Sequence, residues 1–256
     1  MDVSMRVSSP LAIIVVFGAI AQVVAPIVPF AGVGASPNES TVDLLITPAG
    51  YTFSIWSVIY LLSIVLAATV LLTRSTGTRA AHRLAVDLSI AFFGAAIWIL
   101  FSAAEWRWVT SIVLTVMTVA LLDAARIAAG HRDEDAPGWR TALTRVTVGI
   151  YAGWATAAVF QNWASDIADS GADPDEPWWQ LVILIAAAVF ASVVTWLFGG
   201  VLIGYPLTVI WALVGIIVTA AGVTPSVVII CAVTIVVVAA VAGVVMLRGR
   251  ARPSVA

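Results

Sequence analysis

The sequence predicts an all-α protein, a polytopic transmembrane helical bundle of about eight helices. Three observations lead there. Only 10% of the 256 residues are charged and 62% are hydrophobic, whereas a soluble domain carries about 25% charge. A soluble fold cannot hide that deficit, because most of its surface must meet water; a bilayer removes the requirement. The apolar residues fall in uncharged runs of roughly 20, the number needed to cross the hydrocarbon at about 1.5 Å per residue. The arginines collect in alternate connections between those runs, and the other connections are mostly acidic.

The first span extends from Leu11 to about Ala31, within a stretch that carries no charge from Val7 to Asn38. The second occupies about Gly50 to Thr73, the third about Asp87 to Ala104, the fourth Trp108 to about Ala128, and the fifth about Arg145 to Trp163. Between Glu176 and Arg248 lie 71 uncharged residues. As one helix they would reach about 107 Å, far beyond any bilayer. Gly199-Gly200 through Gly204-Tyr205-Pro206, and Gly222-Val223-Thr224-Pro225, divide the run, since Gly and Pro clusters end helices. Three spans result: about Trp178 to Phe198, Pro206 to Ala221, and Pro225 to Leu247.

Arginine placement sets the orientation. All 12 basic residues are arginine. With eight crossings, Arg6, Arg74, Arg79, Arg83, Arg126, Arg132, Arg140, Arg145, Arg248, Arg250 and Arg252 share one side, and only Arg107 falls on the other. The opposite side carries Glu39, Asp43, Glu105, Asp166, Asp169, Asp173, Asp175 and Glu176. Seven or nine crossings would spoil this separation. The arginine side is read as cytoplasmic, so both termini lie inside and the protein belongs to the cytoplasmic membrane. Val33-Gly34-Ala35 resembles a signal-peptidase site, but the apolar stretch before it is longer than the usual 7–15-residue h-region. It is read as a retained span. Near the inner surface, Asp123 and Arg126 are spaced to pair, and Arg83 with Asp87 reads as an anchoring pair.

Several activities are excluded or unsupported. Without lysine there is no retinal Schiff base. His82 and His131 lie in charged loops, so no bis-histidine haem forms in the bilayer. Cys231 stands alone in a Val/Ile run and reads as packing. No ionisable residue sits in mid-membrane, which argues against a proton-coupled transporter with a buried carboxylate. No nucleophile–base set, phosphate loop or metal-ligand spacing is evident. Hydrolytic or metal-dependent turnover is therefore not expected, and no cofactor is required. The basic loops are short and serve orientation, not nucleic-acid binding.

The 11 tryptophans are the distinctive feature. Trp106, Trp108, Trp163, Trp178 and Trp179 fall at the outer surface and Trp139 in an inner loop, as an aromatic belt predicts. Trp56, Trp98 and Trp154 are placed differently. They come from three spans, each about six to nine residues inward from the outer end, or roughly 9–14 Å deep. Each belongs to a helical stripe: Phe53, Trp56 and Tyr60; Gly94, Trp98 and Phe101; Tyr151, Trp154, Ala158 and Asn162. Such stripes suit helix packing or lipid contact, and equally an aromatic-lined pocket in the outer half of the bundle. Asn162 favours a protein or ligand contact, because a buried amide needs a partner.

The stretch Pro48-Ala49-Gly50-Tyr51-Thr52-Phe53-Ser54-Ile55-Trp56-Ser57-Val58-Ile59-Tyr60 resembles the start of the second helix in the tryptophan-rich sensory proteins. This is the TspO/MBR family, which includes the translocator protein, also known as the peripheral benzodiazepine receptor. A second match, Tyr151-Ala152-Gly153-Trp154-Ala155-Thr156-Ala157-Ala158-Val159-Phe160-Gln161-Asn162, is similar to the fifth-helix pattern of that family. Trp98 matches the third-helix tryptophan. The pattern departs at Tyr51, where the family has Trp, and in the Phe53–Trp56 spacing, one residue short. It departs also at Ala95, Ala157 and Gln161, where the family has Asn, Phe and Leu.

The resemblance follows chain order over about residues 10–165 and divides the chain in three. Residues 1–165 form a TspO-like five-helix membrane domain, 166–177 an acidic outer loop, and 178–256 three additional transmembrane helices with a basic tail. It implies a protein that binds a tetrapyrrole, porphyrin or haem-type, or a similar flat apolar ligand such as a sterol, in sensing, regulation or transport. The ligand would lie beneath the outer loop of about residues 32–49. The implied ligand-binding residues are Tyr51, Phe53, Trp56, Tyr60, Trp98, Phe101, Tyr151, Trp154, Ala158 and Asn162. A small permease or export component, and a structural membrane subunit, are the alternatives. The partners expected are a hydrophobic small molecule and the lipid bilayer, with a homodimer open.

Overall fold

The computed structural model describes residues 6–34 and 43–250. The start of the chain, the middle of the first outer loop with Asn38 and Glu39, the Ala35 end of the signal-peptidase-like site, and the tail with Arg252 lie outside the described residues. Among the described residues every named element is helical: α1 (Ser9–Val24), the short α2 (Ile27–Phe30), a 3-10 helix (Gly50–Ser54) leading into α3 (Ile55–Thr73), α4 (Ala81–Ala103), α5 (Arg107–Ala129), α6 (Gly138–Asp169), α7 (Pro177–Phe198), α8 (Gly204–Ala220) and α9 (Pro225–Arg250). Six stretches are long and apolar enough to cross a bilayer: Ser9–Phe30, Gly50–Thr73, Ala81–Ala103, Trp108–Ala129, Pro177–Phe198 and Pro225–Arg248. The chain is an all-α polytopic membrane bundle.

The two remaining helices depart from that simple type for different reasons. α8 is apolar but has only 17 residues. α6 has 32 residues, against about 19 expected, because it continues past the span at both ends. Its inner extension is held by Thr141 and Thr144, whose hydroxyls donate to the carbonyls of Gly77 and Thr76 at 2.8 and 2.7 Å. Its outer end stops at Ser170, with Gly171 at φ +109° turning the chain away. α4 likewise starts at Ala81, six residues before the expected boundary. Leu84, Ala85 and Leu88 bury its first turns, and Arg83 stays exposed.

α6 is the centre of the bundle and packs against α3, α5, α7 and α8. α4 lies between α1 and α5, and α9 covers α7 and α8. Close approach depends on small residues, as expected where lipid tails compete with side chains for apolar contact. Gly149 and Gly153, four apart on α6, meet the first turns of α8. A Cβ on Gly153 would stand 2.7 Å from the Tyr205 carbonyl oxygen. This pairing brings α8 onto the face of α6 beside the one that carries Trp154.

Charge is segregated between the two ends. The α3–α4 and α5–α6 connections are joined directly: Thr78 bridges to Arg132, and Arg79 pairs with Glu134 at 3.0 Å. The Val7 amide donates to the Arg74 carbonyl at 2.9 Å, which brings the start of α1 to the same end. Arg248 lies over the Trp196 ring at 4.9 Å, at the end of α7. Asp123 accepts from both Arg83 and Arg126, at 2.8 and 2.9 Å. The spacing-based Asp123–Arg126 pair therefore forms, but Arg83 takes Asp123 in place of Asp87. Asp123 projects from the neighbouring helix into reach of Arg83, whereas Asp87 is buried beside Asp123.

Candidate functional site

The three deep tryptophans converge. Trp56 of α3 stacks on Trp98 of α4, with ring centroids 5.9 Å apart and planes 23° apart. Trp154 of α6 meets Trp56 edge-on at 6.4 Å and Phe53 edge-on at 5.5 Å. Tyr151, one turn along α6, presents its edge to Trp56 at 5.9 Å, and Tyr60 flanks the same indole at 5.4 Å. The result is a cluster in which Trp56 touches four other aromatic rings.

Its parts differ in how firmly they are held. Trp98 is 5% exposed, and its indole N–H donates to the Asn162 carboxamide oxygen at 3.1 Å. The Asn162 amide nitrogen donates to the Ala158 carbonyl, also at 3.1 Å. Helix α6 thus fixes the rotation of an indole on α4. Trp154 and Tyr151 are buried, and Phe92 stacks beneath Tyr151 at 6.2 Å. Phe53, Trp56, Tyr60, Ala158 and Asn162 are only partly covered. The cluster therefore has a buried side and a partly exposed one.

Two of the ten candidates lie apart from the cluster's ring contacts. Phe101 stacks on Trp106 at 4.9 Å, at the α4–α5 turn. Tyr51 is 47% exposed and packs edge-on against Trp211 of α8 at 5.5 Å. Trp211 also donates its indole N–H to the Thr52 carbonyl at 2.9 Å. It thereby holds the turn from which Phe53 and Trp56 project. The whole segment before α3 is tied to the later helices. Leu45 N–H donates to Gln180 at 2.8 Å, Gln161 donates to the Thr47 hydroxyl at 3.1 Å, and Ala49 N–H donates to the Gly215 carbonyl at 3.1 Å.

Gln22 escaped the sequence reading. It lies on α1, wholly buried, and its carboxamide oxygen accepts from the Tyr151 hydroxyl at 2.8 Å. A glutamine in the middle of an apolar span was the available signal. Phe92 was missed too, since one more phenylalanine in an apolar helix carries no pattern. A separate apolar cavity, lined by Ala157, Phe160, Leu184, Ala188, Ala191 and Leu213 among others, lies between α6, α7 and α8. Its volume is about 50 Å³, against about 300–1,000 Å³ for sites that enclose a drug-sized ligand.

The comparison with known families bears on the same residues. The family model described as TSPO-like protein matches residues 8–245, nearly the whole chain. The chain belongs to the TSPO-like family. The match reaches residue 245, within α9, beyond the residue-165 limit of the motif resemblance, so it takes in α7, α8 and most of α9. Membership and the apolar spans together make this an integral, multi-pass membrane protein of TspO-like type. No curated protein and no solved structure gives a significant match to the chain.

Proposed function

We propose that this TSPO-like protein binds a flat, conjugated, largely apolar ligand, a tetrapyrrole or a molecule of similar shape, in the aromatic cluster of α3, α4 and α6. The supporting observation is the Trp56–Trp98 stack with Trp154 at its edge. A flat ring between two others needs about 7 Å between them, since each aromatic contact takes roughly 3.5 Å. The present 5.9 Å centroid distance is shorter. Trp98 is locked by Asn162, so the half-buried Trp56 is the wall that moves. Binding is then an exchange of one stack for two.

The source of the ligand decides what drives the exchange. A ligand leaving water gains about 25 cal/mol per Å² of apolar surface buried. A ligand leaving the bilayer gains little from burial, and stacking of about 0.5–1.5 kcal/mol per ring pair carries more of the affinity. The arginine-rich end is assigned to the cytoplasm by the same charge rule that governs other inner-membrane proteins. The cluster then opens in the outer half, beneath the loop that α7 and α8 tie down.

The test is quenching of tryptophan fluorescence by protoporphyrin IX in purified protein. Trp56→Ala and Trp154→Ala should each weaken binding by roughly thirtyfold, the effect of about 2 kcal/mol at a binding hot spot. Trp196→Ala, at the far end of α7, should leave it unchanged. Equal affinities in all three folded variants would rule the cluster out as the site.

A further inference from the structure

We infer that Gln22 is a specificity-determining residue of this site: its amide N–H, together with the indole N–H of Trp154, selects flat ligands that carry an oxygen acceptor on the ring system. The inference rests on the binding reading above and goes beyond it by naming the ligand's polar chemistry. Two observations carry it. The Gln22 Nε2 is buried and has no hydrogen-bond partner among the described residues, and the same holds for the Trp154 Nε1. Both side chains are more than nine-tenths buried.

Buried polar groups without partners are uncommon and call for a reason, usually a water or ligand atom. Inside a bilayer the demand is sharper, because no bulk water reaches the group. Both orphan groups are donors, so what completes them is an acceptor. They belong to one cluster. Trp154 packs edge-on against Trp56, and the Gln22 carboxamide is bonded through its oxygen to Tyr151, which also packs edge-on against Trp56. The bond from Tyr151 turns the Gln22 oxygen to the phenol and leaves the –NH₂ end to seek another partner. Carbonyl, ester or carboxyl oxygens on the rim of a conjugated ring match this arrangement. An all-hydrocarbon disc would leave both donors unpaired.

Two porphyrins with the same macrocycle separate the ideas: protoporphyrin IX dimethyl ester, which carries ester oxygens, and octaethylporphyrin, which carries none. Binding to the full-length protein in detergent is followed by tryptophan quenching. Gln22→Leu should weaken the ester by about tenfold, the net worth of a good hydrogen bond, and change octaethylporphyrin by less than about twofold. Trp154→Phe keeps an aromatic ring but removes the donor together with part of the indole, so it should weaken both porphyrins and the ester by the larger factor, and it stands in should Gln22→Leu not fold. Equal losses for both porphyrins would mean a packing role and overturn the inference, with the cluster as binding site left standing. Failure of both porphyrins to bind the unaltered protein would overturn the binding reading, and this inference with it.

Discussion

Trp98 and Asn162 illustrate what a single polar pair does inside an apolar bundle. The bond between them joins α4 to α6 and fixes the orientation of the Trp98 indole. Hydrogen bonds between membrane helices average about 0.6 kcal/mol and reach about 1.7. A double-mutant cycle with Trp98→Phe and Asn162→Leu, read from unfolding in mixed detergent micelles, should give a coupling in that range. A coupling near zero would show that the two side chains are merely neighbours. Asn162 also accounts for its own amide by donating to Ala158. Gln22 does so only in part: its oxygen accepts from Tyr151, while its amide nitrogen has no partner among the described residues.

Among the elements, α6 carries two jobs on adjacent faces. One face presents Tyr151, Trp154, Ala158 and Asn162 to the cluster; the next presents Gly149 and Gly153 to α8. The glycines bring α8 close enough for Trp211 to reach the Thr52 carbonyl and for Gly215 to accept from Ala49. Gly153→Leu forces a side chain against the Tyr205 backbone and should cost about 1–3 kcal/mol, as overpacking does. Gly243→Leu, on α9, meets nothing within 4 Å and should be neutral or mildly stabilising. Thermal melts of the two variants in one detergent give the comparison. The Gly153 variant should also weaken protoporphyrin quenching, because the turn that positions Phe53 and Trp56 loses its support.

For the whole molecule, the segregation of charge makes a topological prediction. Reporter fusions after Gly77, after Gly138 and at the C-terminus should report cytoplasm, and fusions near Asn38 and Gly171 the outside. The physical basis is the retention of arginine-rich connections on the cytoplasmic side. In the folded chain the α3–α4 and α5–α6 connections do more than orient. They bond to each other through Thr78, Arg79, Arg132 and Glu134 and close one end of the bundle. A periplasmic signal from the C-terminal fusion would break the eight-crossing arrangement.

The sequence by itself determined the number and placement of the helical runs, the segregation of arginine from acid, and the stripes that carry Trp56, Trp98 and Trp154. Each is settled helix by helix against lipid and water, and needs no knowledge of neighbours. Boundaries were less legible. α6 and α4 start earlier than the expected spans because Thr141, Thr144 and Arg83 in their first turns find partners on the α3–α4 connection and on α5, and Leu84 and Leu88 are buried. Only the tertiary structure decided which stripes face each other, that Arg83 goes to Asp123, that Phe101 and Tyr51 pack elsewhere, and that Trp211 supports the start of α3. It also decided that Gln22 lies against Tyr151, 129 positions along the chain. The physical reason is shared: a polar atom or an aromatic edge in an apolar bundle takes its meaning from its partner, and, except for Phe101 with Trp106 in the adjoining turn, that partner lies on another helix.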